Sequence, residues 1–207
     1  MGREIAYYFT LGSPWAYLGY PLLTEIAARH GAAILYRPMP VRRVFDETGG
    51  LPLPRRHPVR QLYRLVELQR WRERRGLPLN LAPRHAPFDA TLADGCVAAL
   101  LAAGRDPGPF IRAAGAGFWA EDRNLAEPET IAAVLGEAGT SDPGQVLKAA
   151  RAEAAIGLYE ANFAAALEAG VFGAPTYSLD GELFWGQDRL ELLGEALRSG
   201  RPAYRPD

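Results

Sequence analysis

A serine set directly before a proline and an apolar helical run is the first residue in this chain whose type and position could do chemistry. Ser13-Pro14-Trp15-Ala16 opens a stretch in which Trp15, Leu18, Leu22, Leu23, Ile26 and Ala27 recur at helical spacing. At a helix start the backbone N–H groups lack intrahelical partners and the dipole is positive, so an anion is favoured there. A serine hydroxyl at that place can donate to such an anion. The same residues equally describe a serine that only caps its helix, with Pro14 at N1, where its missing N–H costs nothing. Two later segments carry polar chemistry of their own. Phe172-Gly173-Ala174-Pro175-Thr176 places a proline just before a strand pattern, and Trp185-Gly186-Gln187-Asp188-Arg189-Leu190 lies between a strand and a helix. Pro175 also reads as an ordinary proline at a strand start, and Asp188 as a plain helix cap.

These residues must be positioned by the elements around them. Residues 4–9 and Ala33–Pro38 read as strands flanking the first helix, which Gly31 closes. This opening strand–helix–strand unit is parallel and right-handed by default. From about residue 58 to 165 the pattern is helix after helix, over Pro58–Arg75, Ala90–Ala103, Pro109–Ala120 and from Pro128 to just before Gly139. A last helix of this block is expected from Asp142 as N-cap and Pro143 at N1 through to Ala169, with a kink at Gly157. Strands return at Thr176–Leu179 and Glu182–Trp185. The Asp180-Gly181 pair between them is a strong hairpin signal, because a type I′ turn needs positive φ at both central positions. A final helix follows, with Asp188 near its start and Gly200 past its end. The order βαβ, helices, ββα predicts an α/β protein with a four-stranded mixed sheet: a thioredoxin-like fold with an all-helical insertion. Residues 1–45 plus 170–207 form the expected thioredoxin-like part and residues 46–169 the insertion.

In that fold the reactive group sits at the N-terminus of the first helix, where thiol proteins place a cysteine. Here serine holds the first cysteine position and alanine the second. The anion-stabilising geometry is kept without a thiol, so the thiol is expected to arrive on another molecule such as glutathione. Pro175 stands where the fold keeps a cis-proline facing that helix end, which leaves the N–H and C=O of residue 174 to pair with an extended peptide. Asp188 is then suited to the α-ammonium of a γ-glutamyl group, and the helix N–H groups to its α-carboxylate.

On these residues the chain resembles the 2-hydroxychromene-2-carboxylate isomerases and, more distantly, the kappa-class glutathione transferases. The resemblance runs over essentially the whole length. It rests on Tyr8-Phe9 and Ser13-Pro14-Trp15-Ala16-Tyr17-Leu18, on Leu68-Gln69-Arg70-Trp71 and Gly76-Leu77-Pro78-Leu79, on residues 170–176, and on Phe184 through Leu190. It implies that Ser13 is catalytic and hydrogen-bonds the glutathione sulfur. The peptide groups of Ala174, beside Pro175 in the cofactor site, would pair with the cysteinyl backbone, and Trp185, Gly186, Gln187 and Asp188 would hold the γ-glutamyl end. Glutathione would be the cofactor, regenerated in each cycle by addition to a double bond conjugated with a carbonyl, rotation and elimination. A free thiol with a pKa of about 8.5 is only a few per cent thiolate at neutral pH. A hydroxyl donor and a helix end lower that value by roughly one or two units, at about 1.4 kcal/mol per unit.

The substrate half departs from the family. A family lysine after the second strand aligns with Phe45, and Arg42 or Arg43 could replace its charge with a fork suited to a carboxylate. An Asn-Arg pair falls near Pro54-Arg55, which makes Arg55 a substrate-side candidate. A kappa-class asparagine is glycine in Thr48-Gly49-Gly50, and a substrate-side tyrosine falls near His85. The resemblance also implies a homodimer.

Composition narrows the remaining classes. Hydrophobic residues make up 48% and charged residues 23%, a globular rather than disordered balance. With 23 basic and 24 acidic side chains there is no electrostatic case for nucleic acid. Ten arginines against four acidic residues between Arg42 and Arg75 read first as a solvated face. No apolar run reaches 18 residues and no signal peptide is visible, so a soluble cytoplasmic protein without membrane contact is expected. Cys96 is the only cysteine, which excludes an internal disulfide or a CxxC pair, and with three scattered histidines no metal site is expected. Cys96 itself should be buried and inert, and Trp71 and Trp119 core or interface residues. The competing functions are an isomerase, a transferase that leaves a stable conjugate, and a non-catalytic glutathione-binding protein.

Overall fold

Alternation along the first strand decides what the sheet separates. In β1 (Glu4–Phe9), Ile5, Tyr7 and Phe9 are fully buried on one face, while Tyr8 turns to the other. The computed structural model describes residues 3–206. Helix α1 (Pro14–His30) lies between β1 and β2 (Ala33–Pro38), and β1 pairs with β2 in parallel. Strands β3 (Thr176–Leu179) and β4 (Glu182–Trp185) extend the sheet antiparallel, giving the order β2-β1-β3-β4. Asp180 and Gly181 both take positive φ, 52° and 83°, as the Asp-Gly signal requires.

The α1 face carries the main core. Ile5, Tyr7 and Phe9 pack there with Leu18, Leu23 and Ile26, and with Leu190, Leu193 and Leu197 of the last helix, α9 (Leu190–Ser199). The same cluster continues into the insertion through α4 (Thr91–Ala102), α5 (Gly108–Trp119), α6 (Pro128–Glu137) and α7 (Pro143–Ala149). On the opposite face a small cluster joins Tyr8 and Met39 to Val44 of α2 (Val41–Thr48) and Ala166 of α8 (Glu153–Glu168). Residues 45 and 46, where the insertion is expected to begin, lie inside α2, and the main core runs from the sheet into the insertion without a gap.

Helix α3 (Pro58–Arg75) has the bounds the sequence predicts, with Gly76 closing it in the left-handed conformation. Two expectations differ from the structure. Helix α2 is absent from the sequence reading, because Val44 is its only buried residue and the apolar period is too sparse to see. The helix expected from Pro143 to Ala169 is two helices, and the break falls at residues 150–152 rather than at Gly157. Ala152 adopts an extended backbone there without any glycine or proline to announce it. The break lets α7 pack on α6 while α8 packs on α4, so tertiary contact overrides alanine's helix propensity. Among the described residues no helix is long and apolar enough to cross a membrane.

Candidate functional site

Ser13 caps α1 from an extended backbone and is nearly buried. Its Oγ accepts from the Ala16 N–H at 3.3 Å and donates to the Ala174 carbonyl at 3.4 Å. The first turn of α1 contains no acidic residue, so the positive end of the dipole is uncompensated. The Trp15 and Ala174 amide N–H groups find no hydrogen-bond acceptor among the described residues. The Ala174–Pro175 peptide is cis. A hydroxyl, a helix end and an open peptide N–H thus converge from α1 and the segment before β3. The sequence reading left both peptide groups of residue 174 free. The N–H is, whereas the carbonyl already receives the Ser13 hydroxyl.

The segment after β4 reaches the same place through the sheet. Trp185 pairs with Thr176, and the Gly186 N–H donates to the Pro175 carbonyl at 2.9 Å. Gly186 has φ 94°, which strains any residue with a side chain, and a β-carbon there would also push Asp188 Oδ1 aside. Trp185 is half exposed, and its ring meets Phe172 at 4.8 Å and lies over Gly173. Gln187 is buried at 1% exposure, in a 3-10 turn before α9. Asp188 pairs with its neighbour Arg189 at 2.6 Å, both partly exposed.

Arg75, at the end of α3, escaped the sequence reading. Its Nε donates to Gln187 Oε1 at 2.8 Å, one Nη to the Gln187 carbonyl at 2.9 Å, and the other to Glu191 at 3.0 Å. Its guanidinium also lies 4.9 Å from the Trp71 ring. The insertion therefore grips the segment expected to hold the γ-glutamyl end, and Gln187's side-chain oxygen is already committed to that grip. The available signal was a tryptophan four residues before an arginine at a helix end, which is too common to single out.

The turn from Thr10 to Ser13 is held in the same way. The Ser13 N–H donates to the Thr10 carbonyl at 3.1 Å. Asp94 of α4, 1% exposed, accepts from Thr10 Oγ1 at 2.6 Å and from the Leu11 N–H at 2.8 Å. Trp119 Nε1 of α5 donates to the Leu11 carbonyl at 3.1 Å. Burial pushes the Asp94 carboxyl up to about 7, against the lowering effect of these donors. Cys96, two residues further along α4, is buried, and its thiol is pushed up to about 12 by desolvation.

The substrate-side candidates are more scattered. Arg43 places its fork on Glu160 at 2.6 and 2.9 Å and lies 4.1 Å from the Phe163 ring. That bidentate bond holds Glu160 below its usual carboxylate range. Phe45 faces the Arg56 guanidinium at 5.9 Å. Arg55 is exposed in the 3-10 turn at Leu53–Arg55. His85 lines a shallow depression with Arg123, Asn124, Glu127 and Thr130, on the surface beside α6. No hydrogen bond joins any of the four to Ser13 or Ala174 among the described residues. Arg42 lies in the field of Asp89, whose carboxyl is held low first by Thr91 and then by this arginine.

A family model described as a DsbA-like thioredoxin domain matches residues 4–198. A 2-hydroxychromene-2-carboxylate isomerase from Sphingobium xenophagum is 29% identical over 93% of this chain and 97% of its own. Glutathione S-transferase kappa 1 from Caenorhabditis elegans is 24% identical over 96% and 92%. A solved structure of a 2-hydroxychromene-2-carboxylate isomerase superposes with a TM-score of 0.78 at 27% identity, covering 95% of both chains. A probable DsbA oxidoreductase from Streptomyces coelicolor shares the fold, with a TM-score of 0.74 at 18% identity over 99% of this chain and 94% of its own. Strand order, helical insertion and a match over nearly the whole chain agree: this protein belongs to the DsbA-like thioredoxin domain family, with serine and alanine in the helix-1 motif.

Proposed function

We propose that the protein is a glutathione-dependent isomerase of an unsaturated 2-oxo acid of the 2-hydroxychromene-2-carboxylate type. The observation that carries this is the Ser13 hydroxyl at an uncompensated helix N-terminus, 3.4 Å from the Ala174 carbonyl, with no thiol in the helix-1 motif. The open Ala174 N–H and the acid-free first turn of α1 fit the peptide and the sulfur of glutathione. Relatives named as 2-hydroxychromene-2-carboxylate isomerases and as a kappa glutathione transferase support the same cofactor and substrate class.

Glutathione, when bound, supplies a thiolate able to add reversibly to a double bond conjugated with a carbonyl, the route by which such an isomer is reached and the thiol returned. Ser13 turns its O–H from the Ala174 carbonyl toward that sulfur. It donates without competing as a nucleophile, since its own proton is far less acidic than a thiol's. The α1 dipole and the Trp15 N–H add positive potential at the same point. Ala174 offers its N–H to the cysteinyl backbone. Trp185, Gly186 and Asp188 flank the γ-glutamyl end, where Asp188 exchanges Arg189 for an ammonium. Phe45, Arg55 and His85 remain the proposed substrate side, with Arg42 or Arg43 as its cation; the Glu160 pair leaves Arg42 the freer of the two. We also propose a homodimer. A cytoplasmic setting follows from a reduced thiol cofactor, because reducing compartments are where such thiols persist.

The test is a turnover assay with glutathione and a chromene carboxylate. Loss of substrate absorbance with constant total glutathione is the expected result. Stoichiometric thiol consumption replaces the isomerase with a transferase, the reading that the kappa relative favours. No turnover at all, with glutathione bound, reduces the protein to a binding module.

A further inference from the structure

The turn that carries Ser13 is fixed from outside the sheet, and the fixing group is an acid. Asp94 is 1% exposed and forms no ion pair among the described residues. Its Oδ1 accepts from the Leu11 N–H, and its Oδ2 accepts from Thr10 Oγ1 at 2.6 Å and from the Tyr159 hydroxyl of α8 at 3.4 Å. Thr10 Oγ1 in turn accepts from the Gly12 N–H at 3.1 Å, and the Thr10 carbonyl accepts from the Ser13 N–H. Every residue from Thr10 to Ser13 is thus one or two hydrogen bonds from a single carboxyl. A buried carboxyl without a cation is costly, and its hydrogen bonds must compensate for it.

We propose that Asp94 is a positioning residue for Ser13, holding the Thr10–Ser13 turn in its ionised form and loosening it when protonated. The proposal rests on the reading of Ser13 as the thiolate's partner. Only the carboxylate can accept all three donors. The acid must point its own proton at Thr10 or Tyr159, and one donor then loses its acceptor. If the acid's proton goes to Thr10 Oγ1, that oxygen accepts it beside the Gly12 N–H, and the Thr10 O–H must turn away from Asp94.

The groups facing Asp94 set where the change occurs. From α8 comes Tyr159, whose phenol is pushed up by burial and by Asp94 itself and so stays a donor at neutral pH. Asp89, in the segment before α4, adds a like charge that favours the protonated form. From β1 comes the buried Tyr7 phenol, and on α4 itself the Cys96 thiol, both uncharged at neutral pH. With burial the leading cause, the carboxyl titrates at about 7, inside the range a cell visits.

Native-state hydrogen exchange of the ligand-free protein tests this without any cofactor. Between roughly pH 5.5 and 8.5, protection of the Leu11 and Ser13 amides, corrected for intrinsic rates, should rise about tenfold, the order expected for a hydrogen bond to a charged group. Asp94→Asn, an isostere of the protonated acid, should hold both amides at the low value at every pH. Thr10→Val should lower Ser13 protection while Leu11 still titrates, and it decides the matter if the asparagine variant does not fold. The rate profile of the glutathione-loaded enzyme should lose its neutral inflection in Asp94→Asn. Protection that ignores pH in the wild type, or wild-type protection at Ser13 in Asp94→Asn, overturns the proposal. Exchange that behaves as expected in a protein that never uses glutathione supports the positioning role and sinks the glutathione reading alone.

Discussion

The two halves of the proposed site are built from different materials. The half beside Ser13 is largely main chain: a helix N-terminus, the peptide groups around Pro175, and a glycine at φ 94°. The other half consists of side chains on α2, a 3-10 turn and the loop before α4, and its residues are engaged elsewhere or exposed. Backbone geometry is dictated by the fold, so it persists when side chains change. A substrate pocket made of side chains can be rebuilt on the same frame. The comparison also has a limit, since the main-chain half is not self-supporting. Its turn is held by Asp94 and Trp119, and the segment proposed for the γ-glutamyl end by Arg75, all three from the insertion.

The largest expected effect breaks the comparison at the side chain proposed to meet the sulfur. Ser13→Ala removes the only hydroxyl donor and leaves the helix end and Ala174 in place. Loss of one preorganised donor to a developing anion lowers kcat by about 10²–10³. Stopped-flow rates together with calorimetric glutathione binding measure it, with binding expected to persist. A loss of only a few-fold would mean that the main chain suffices alone.

A second measurement concerns what the insertion's support costs the fold. The Asp94 carboxyl is raised in the folded protein from 3.8 to about 7, so the native state holds a proton that the unfolded chain has released. Its contribution to stability is complete below the unfolded value and is lost as pH rises through the folded one. Between roughly pH 4 and 7 the wild type should lose stability relative to Asp94→Asn, by at most about 1.4 kcal/mol per pH unit. Urea unfolding of both proteins across that window gives the difference. Equal slopes would mean that Asp94 is ionised throughout and that the turn never loosens.

The contrast between the halves explains what the sequence made legible. The sheet, the hairpin and the site beside Ser13 depend on local signals: Ser-Pro at a helix start, Asp-Gly between two strands, proline before β3. Each of these fixes backbone conformation within a few residues. Arg75, Asp94 and Trp119 act across separations of 112, 83 and 108 residues, and nothing in their own neighbourhoods marks them. Trp119 does lie in the core, as its type suggests, but its indole N–H is what bears on the site. The break between α7 and α8 was hidden for the same reason, because alanine serves both conformations and only packing chooses between them.

Arg75→Met tests the insertion's second support. Methionine keeps much of the apolar contact with Trp71 but gives up the donors to Gln187 and Glu191. Hydrogen bonds from a charged group contribute about 1.5–3 kcal/mol, and part of that should appear as roughly tenfold weaker glutathione binding. The intrinsic rate at saturating glutathione should stay near the wild type, because Ser13 is untouched. A fall in rate at unchanged affinity would mean that Arg75 acts on the turn and not on the γ-glutamyl segment.

The smallest effect is expected at Arg43, and it decides what the substrate half is made of. Its fork already lies on Glu160 in an exposed, bidentate pair, and exposed pairs contribute about 0–1 kcal/mol to stability. To receive a substrate carboxylate, Arg43 would have to leave a partner of the same chemistry, so little net attraction remains. Arg43→Ala should therefore leave the substrate KM almost unchanged, while Arg42→Ala, with no bidentate partner to leave, should raise it more. Glu160→Ala completes the set, because it frees the Arg43 fork without removing it. A lower KM in Glu160→Ala, with a raised one in Arg43→Ala, would show that the pair opens for substrate and that α2 does supply the charge. Unchanged values in both would leave Arg43 as surface structure and move the search for the substrate's counter-charge to Arg42 and Arg55.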